Sequence, residues 1–286
     1  VFFGLMTEAF PFLKSGHRYR VAMCVEYRGT EYYGWQIQKT GVRTVQAELT
    51  KAISKVANEP VDLIVAGRTD AGVHASNQIL HFDTASYRKA YGWTSGVNTE
   101  LPNDISVQWT QAVDIDFHAR FSARERAYRY IVYNAPMPSG ILRDGMTWER
   151  RELNLERMQA AANLLLGEHD FSSFRAANCQ AHSPVKDVRE LRLVRQGRLI
   201  VLQARANGFL YHMVRNIMGV LMAIGRGDKP VEWALEVLEG RDRNRGGITA
   251  PAAGLYFVRA RYERGDLPER EAGPAILDGF AGLTEV

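Results

Sequence analysis

Hydrophobic positions along the chain change period several times, and each change marks an element. From Arg18 to Tyr27 apolar and polar residues alternate, with Val21, Met23 and Val25 on one face, which predicts a strand. Thr44 then stands as an N-cap before Val45, Leu49, Ala52, Ile53 and Val56, a stripe at helical spacing. Short strands are expected at 63–65 and 78–82, a helix at 87–95 and a strand at 105–113. Strand, helix, strand, strand, helix, strand is the order of a ferredoxin-like unit. It fits an α+β class better than a parallel doubly wound sheet.

A second unit of similar order begins near Phe117. Residues 126–133 alternate, and Leu155, Met158, Ala161, Ala162, Leu165 and Leu166 mark a helix closed by Gly167. Strands are expected at 188–194 and 199–204. Val214, Ile217, Met218 and Leu221 line a helix ending at Gly225, followed by a helix at 231–239 and a strand at 255–262. The chain thus divides into an N-terminal extension (1–17), an α+β domain (18–115), a second α+β domain (116–263) and a tail (264–286). The tail carries Pro268 and Pro274 and has little periodicity.

Composition narrows the class without naming it. The chain has 286 residues, 46% of them apolar and 24% charged, which is the mix of a globular protein and not of a disordered one. Cys24 and Cys179 are its two cysteines, a usage that fits a reducing compartment, so a cytoplasmic protein is expected. The richest apolar run, 213–224, is interrupted by Arg215 and Asn216, so neither a membrane span nor a membrane partner is expected. No basic segment followed by an apolar core stands at the N-terminus, so no secretory signal is expected. A net charge of +4, from 36 Lys+Arg against 32 Asp+Glu, permits nucleic-acid binding without demonstrating it.

The densest segment for chemistry is Ala66-Gly67-Arg68-Thr69-Asp70-Ala71-Gly72-Val73-His74-Ala75, directly after an apolar strand. Its two glycines allow a tight turn and a close approach to a ligand, and the short loop presents the Asp70 carboxylate. The same spacing also suits an Asx-type turn with no chemistry. Its glycines match neither the phosphate-loop nor the dinucleotide pattern. His74, His81, His118, His169, His182 and His212 stand singly, without metal-ligand spacing. Neither a metal nor another cofactor is expected.

Residues 66–75 are similar to the signature of the tRNA pseudouridine synthase A family, and the resemblance continues along the chain. It takes in Tyr32-Tyr33-Gly34-Trp35-Gln36, Asp116-Phe117-His118-Ala119-Arg120-Phe121-Ser122-Ala123, Tyr128-Arg129-Tyr130, Phe171-Ser172-Ser173-Phe174-Arg175 and Cys179-Gln180. Phe209-Leu210-Tyr211-His212-Met213-Val214-Arg215-Asn216-Ile217 and Gly254-Leu255-Tyr256 complete it, in order, over roughly residues 18–262. Lys186, after Pro184 and Val185, departs from the arginine frequent there in the family, which affects a phosphate contact and not catalysis.

The resemblance implies two ferredoxin-like α+β domains whose sheets join into one, with the active-site cleft between them. It implies an isomerase that converts uridine to pseudouridine at tRNA positions 38, 39 and/or 40 of the anticodon stem-loop, acting as a homodimer, without cofactor and without DNA. It implies Asp70 as catalytic carboxylate, Arg215 as its ion-pair partner and Tyr128 as the aromatic stacked on a flipped-out uracil. Arg68 would fill the gap left by that nucleotide, and Thr69 and His118 join Arg68 and Tyr128 as substrate-binding candidates. The alternative is a non-catalytic RNA-binding protein of the same fold, to which an intact Asp70, Tyr128 and Arg215 would be superfluous. A glycosidase-like hydrolase would need a second carboxylate where these motifs offer an arginine and a tyrosine.

Overall fold

The structure, a computed structural model, describes residues 18–177, 179, 181–263, 267–268, 273–277 and 282–283. It forms two compact units: the described parts of Val1–Arg124 with Arg259–Ala272, and of Glu125–Val258 with Gly273–Val286.

The first unit contains β1 (Tyr19–Tyr27), α1 (Val45–Ala57), β2 (Ile64–Val65), β3 (His74–Thr84), α2 (Ala90–Glu100) and β4 (Ile105–Val113). Its strands lie in the order β4-β1-β3, with β2 on β3, all antiparallel. Thr44 caps α1 as its side chain predicts, with Oγ1 accepting from Ala47 N at 3.4 Å. Leu49 and Ile53 of α1, Trp93 of α2, and Met23 and Phe82 of the sheet are fully buried, Phe82 meeting Trp93 edge-on at 5.2 Å.

Two boundaries differ from expectation. Helix α2 starts at Ala90, not at Tyr87, because Lys89 is extended (φ −66°, ψ 154°). It ends at Glu100, since Pro102 disfavours a helical Leu101, which is extended at φ −84°, ψ 149°. Strand β3 runs well beyond 78–82 at both ends. Ser76, Asn77, Gln78 and His81 are buried along with their apolar neighbours. A strand covered on both faces has no polar side, so alternation does not reveal its length.

The second unit holds most of β5 (Ala123–Asn134), then β6 (Thr147–Glu149), α3 (Leu155–Asn163), β7 (Gly167–Asp170), β8 (Val185–Gln196), β9 (Leu199–Ala206), α4 (Met213–Gly225) and α5 (Trp233–Gly240). Strand β10 (Leu255–Tyr262) belongs to this unit up to Val258 and to the first from Arg259. The strands β5-β9-β8-β7 are antiparallel neighbours in that order, and β6 pairs in parallel with β5. The class is α+β.

Strands β6 and β7 are too short and too polar to register as periodic segments. Gly167, at φ +98°, opens β7 instead of closing α3, which ends four residues earlier. Helix α4 is buried on almost every side, and Gly219 explains how. A Cβ there would lie 1.9 Å from the Ile248 carbonyl oxygen, so segment 248–250 lies directly against the helix. Among the described residues no helix is long and apolar enough to cross a membrane.

Candidate active site

Strand β2 leads into the glycine-bracketed loop, and Ala66 N donates to Ile79 O at 2.8 Å as the chain leaves the sheet. Within the loop Val73 N donates to Asp70 O at 3.1 Å, closing a turn that starts at the aspartate. The segment Tyr32–Trp35 braces this loop from outside. Trp35 N donates to Thr69 O at 3.0 Å and Gly72 N donates to Tyr32 O at 3.2 Å, so Asp70 lies between two backbone bonds to one partner segment. Gly34 makes the approach possible: its φ is +89°, and a Cβ would sit 2.9 Å from Thr69 O. The brace continues into α1, because Val45 N donates to Gly34 O at 3.2 Å and Gln46 N to Trp35 O at 2.9 Å. Tyr32 is fixed in turn: its hydroxyl donates to Asp104 at 2.5 Å, and Arg43 lies over its ring while bonding the same carboxylate at 3.1 Å.

Asp70 is half-buried on this braced loop. Thr69 is buried, and its hydroxyl lies 2.8 Å from the Tyr27 hydroxyl. Gln78 Nε2, buried in β3, donates to Gly67 O at 2.7 Å and to the Tyr27 hydroxyl at 3.5 Å. Burial pushes the Tyr27 phenol up to about 12; its bonds to Gln78 and Thr69 work against the shift and the Asp70 charge adds to it. Arg68 is exposed, and its guanidinium is held below its usual range by desolvation first and by the Arg120 charge second. The 118–122 corner belongs to the same unit as the loop.

His118 organises that corner. Its Nδ1 accepts from Arg120 N at 3.2 Å and Phe121 N at 3.1 Å, and its ring stacks on Phe121 at 4.3 Å. Behind it the buried His81 accepts from Ala119 N at 3.1 Å through Nδ1. The Tyr262 hydroxyl donates to Ala119 O at 2.8 Å. Burial, followed by the Arg20 charge, pushes His81 down to about 4 and moves His118 in the same direction. Arg68, Thr69, Asp70 and His118 are therefore all in the first unit.

Tyr128 and Arg215 belong to the second. Tyr128, half-buried on β5, is met edge-on by Phe209 at 5.1 Å and Phe257 at 5.2 Å, which orient its ring. Arg215, on the first turn of α4, donates from Nε to Ala250 O at 2.8 Å, and Ala250 N donates back to Arg215 O at 3.1 Å. That exchange holds one edge of the guanidinium on the segment Gly219 admits. The next residue, Asn216, is buried and bonds Phe174 O at 2.7 Å, Thr249 Oγ1 at 2.6 Å and Arg243 at 3.1 Å. Arg243 also donates to Gly247 O at 3.1 Å, so it braces the loop. His212 precedes α4 in a left-handed conformation (φ 63°), and burial followed by the Arg215 and Arg243 charges pushes it down to about 4. Cys179 Sγ accepts from Tyr211 N at 3.4 Å, whereas Gln180 lies outside the described residues.

The sequence motifs single out the loop and the arginine but not Tyr27, Gln78 or Arg243, and they contain Asn216 without giving it a role. For Asn216 the available signal was a polar side chain inside an otherwise apolar run, which must find a partner when buried; Tyr27, Gln78 and Arg243 stand among other polar residues and give no such signal. Among the described residues no group of three His, Cys, Asp or Glu is placed to hold a metal ion.

Fold and site together define an α+β protein that presents one aspartate on a loop braced from two sides. The sequence model described as tRNA pseudouridine synthase matches residues 23–122 and 161–263, which include that loop, its brace, and Arg215. A tRNA pseudouridine synthase A of Pseudomonas aeruginosa is 55% identical over 265 residues, covering 92% of this chain and 93% of that protein. Proteins of the same name from Coxiella burnetii (51% over 259 residues; 90% and 99% covered) and Hydrogenovibrio crunogenus (54% over 249; 87% and 95% covered) are comparably similar. The chain belongs to the tRNA pseudouridine synthase family, and is an isomerase by that membership.

Proposed function

We propose that this protein isomerises uridine to pseudouridine at positions 38, 39 and 40 of the tRNA anticodon stem-loop, with Asp70 as its catalytic carboxylate. The observation that carries this reading is the braced loop. A half-buried carboxylate held by backbone bonds on either side is pre-organised to meet a reacting centre. The reaction breaks the C1′–N1 bond, turns the uracil and joins C1′ to C5; N1 gains a proton and C5 loses one, with no net redox change. Asp70 serves this as nucleophile or as base. The target uridine leaves its stack to be reached, and the edge-oriented Tyr128 ring is assigned to stack on its base. Arg68, exposed beside Asp70, is assigned to the vacated position, and Arg215 to pairing with the carboxylate. Thr69 and His118 complete the substrate-binding assignment. The same reading places the enzyme in the cytoplasm as a homodimer.

The test is to incubate purified protein with unmodified tRNA transcripts and map pseudouridine by chemical labelling. Label confined to the three neighbouring anticodon-arm positions is expected. Label elsewhere would contradict the site assignment. Tight tRNA binding with no label at all would favour the non-catalytic reading.

A further inference from the structure

Three polar side chains meet in the interior of the first unit, directly beneath the Asp70 loop. Tyr27 is 3% exposed, Gln78 0% and Thr69 7%. Burying such groups is costly unless they are bonded; the Tyr27 and Thr69 hydroxyls and the Gln78 amide nitrogen bond one another, while Gln78 Oε1 has no partner among the described residues. Gln78 Nε2 donates to the Tyr27 oxygen at 3.5 Å, and the Tyr27 and Thr69 hydroxyls bond each other at 2.8 Å. The same amide donates to Gly67 O at 2.7 Å. The chain of bonds therefore starts in β3, passes through the last residue of β1, and ends on the residue before Asp70.

Thr69 is consequently held at two points, by Trp35 N at its carbonyl and by Tyr27 at its hydroxyl. A peptide unit fixed at both its side chain and its carbonyl has little freedom to rotate, and the carboxylate of the next residue inherits that restriction.

We propose that Tyr27 is a positioning residue for Asp70, acting through the Thr69 hydroxyl, with Gln78 holding the Tyr27 oxygen in place. This rests on Asp70 being the catalytic carboxylate. Thr69 then faces the protein interior and works on the aspartate. The interaction is short, buried and internal to one unit.

The experiment measures single-turnover pseudouridine formation at saturating tRNA, together with tRNA affinity and Tm. The proteins are wild type, Tyr27→Phe, Thr69→Val, Thr69→Ser, the Tyr27→Phe/Thr69→Val double variant and Asp70→Asn. Tyr27→Phe keeps the packed ring and removes only the hydroxyl. The rate is expected to fall roughly 10-fold in Tyr27→Phe and in Thr69→Val, since small misplacement of a reacting group is costly. Affinity should stay within about 2-fold of wild type in Tyr27→Phe, whose hydroxyl is buried beneath the loop, away from the phosphate contacts that dominate binding. Thr69→Ser should recover most of the rate lost in Thr69→Val. The double variant should be no slower than the slower single, since both changes delete one bond.

A Tyr27→Phe variant with full rate and a lowered Tm would overturn the proposal, the bond then serving the fold alone. Additive losses in the double variant would overturn it too. If Asp70→Asn itself kept its rate, the catalytic reading of Asp70 would fail. If Asp70→Asn were inactive while Tyr27→Phe kept the full wild-type rate, the positioning inference alone would fail.

Discussion

At φ +89° and with Thr69 O 2.9 Å from where a Cβ would stand, Gly34 has two independent reasons to be glycine. Its Cα is what allows the Tyr32–Trp35 segment to reach the Asp70 loop. Gly34→Ala should therefore cost about 1–3 kcal/mol in a urea melt, the usual cost of such backbone strain. It should also slow single turnover more than it weakens tRNA affinity. Unchanged stability would show that the loop gives way easily, and with it that the brace is loose. Arg215 offers a second test. Lysine keeps the charge but has no Nε to donate to Ala250 O, so Arg215→Lys should lose roughly 10-fold in rate at any tRNA concentration. A lysine variant at wild-type rate would reduce Arg215 to a point charge. The Asp70 loop and the Arg215 segment stand out in sequence because their neighbours form a signature. Tyr27 does not, since its partner Thr69 is 42 residues away and nothing in a strand's alternation distinguishes a hydroxyl that has found a partner.

Among the elements, β3 does the most to couple the site to the fold. It supplies Gln78 under the Asp70 loop and His81 against the 117–122 corner, where His81 accepts from Ala119 N. His81 is held neutral, at about 4 against an ordinary 6.5, chiefly by burial and secondarily by the Arg20 and His118 charges. The unfolded chain thus takes up the proton first. Stability from this group is complete above the ordinary value, is lost as pH falls from there towards 4, and is constant below. His81→Asn preserves an acceptor near Nδ1 without the titration. Its urea midpoint should fall less between pH 7 and pH 4.5 than that of the wild type. Equal falls would place the acid sensitivity elsewhere, His118 and His212 being the other depressed histidines. The length of β3 was hidden because polar residues occupy both of its covered faces, whereas α1 was legible to the residue at its N-cap. Strands β6 and β7 exist through their partners β5 and β8, information a local period does not contain.

For the molecule as a whole, the family defines the substrate as tRNA and the net charge of +4 is modest. Affinity should still fall steeply with salt, because each phosphate neutralised releases counterions whatever the total charge. A tRNA affinity flat between 50 and 200 mM salt would require recognition without phosphate contacts. The α+β class and the order of elements were legible from the changes in hydrophobic period. The division into units returning through β10 was not, since it depends on contacts far apart in sequence. The central claim is that Asp70 performs the chemistry, and single turnover at saturating tRNA with Asp70→Asn tests it most directly. The account predicts a loss of at least about 10²-fold, typical for removing an acid–base group or nucleophile, with affinity nearly unchanged. A residual rate above roughly 1% of wild type would contradict it, since general acid–base loss alone ordinarily costs more than that.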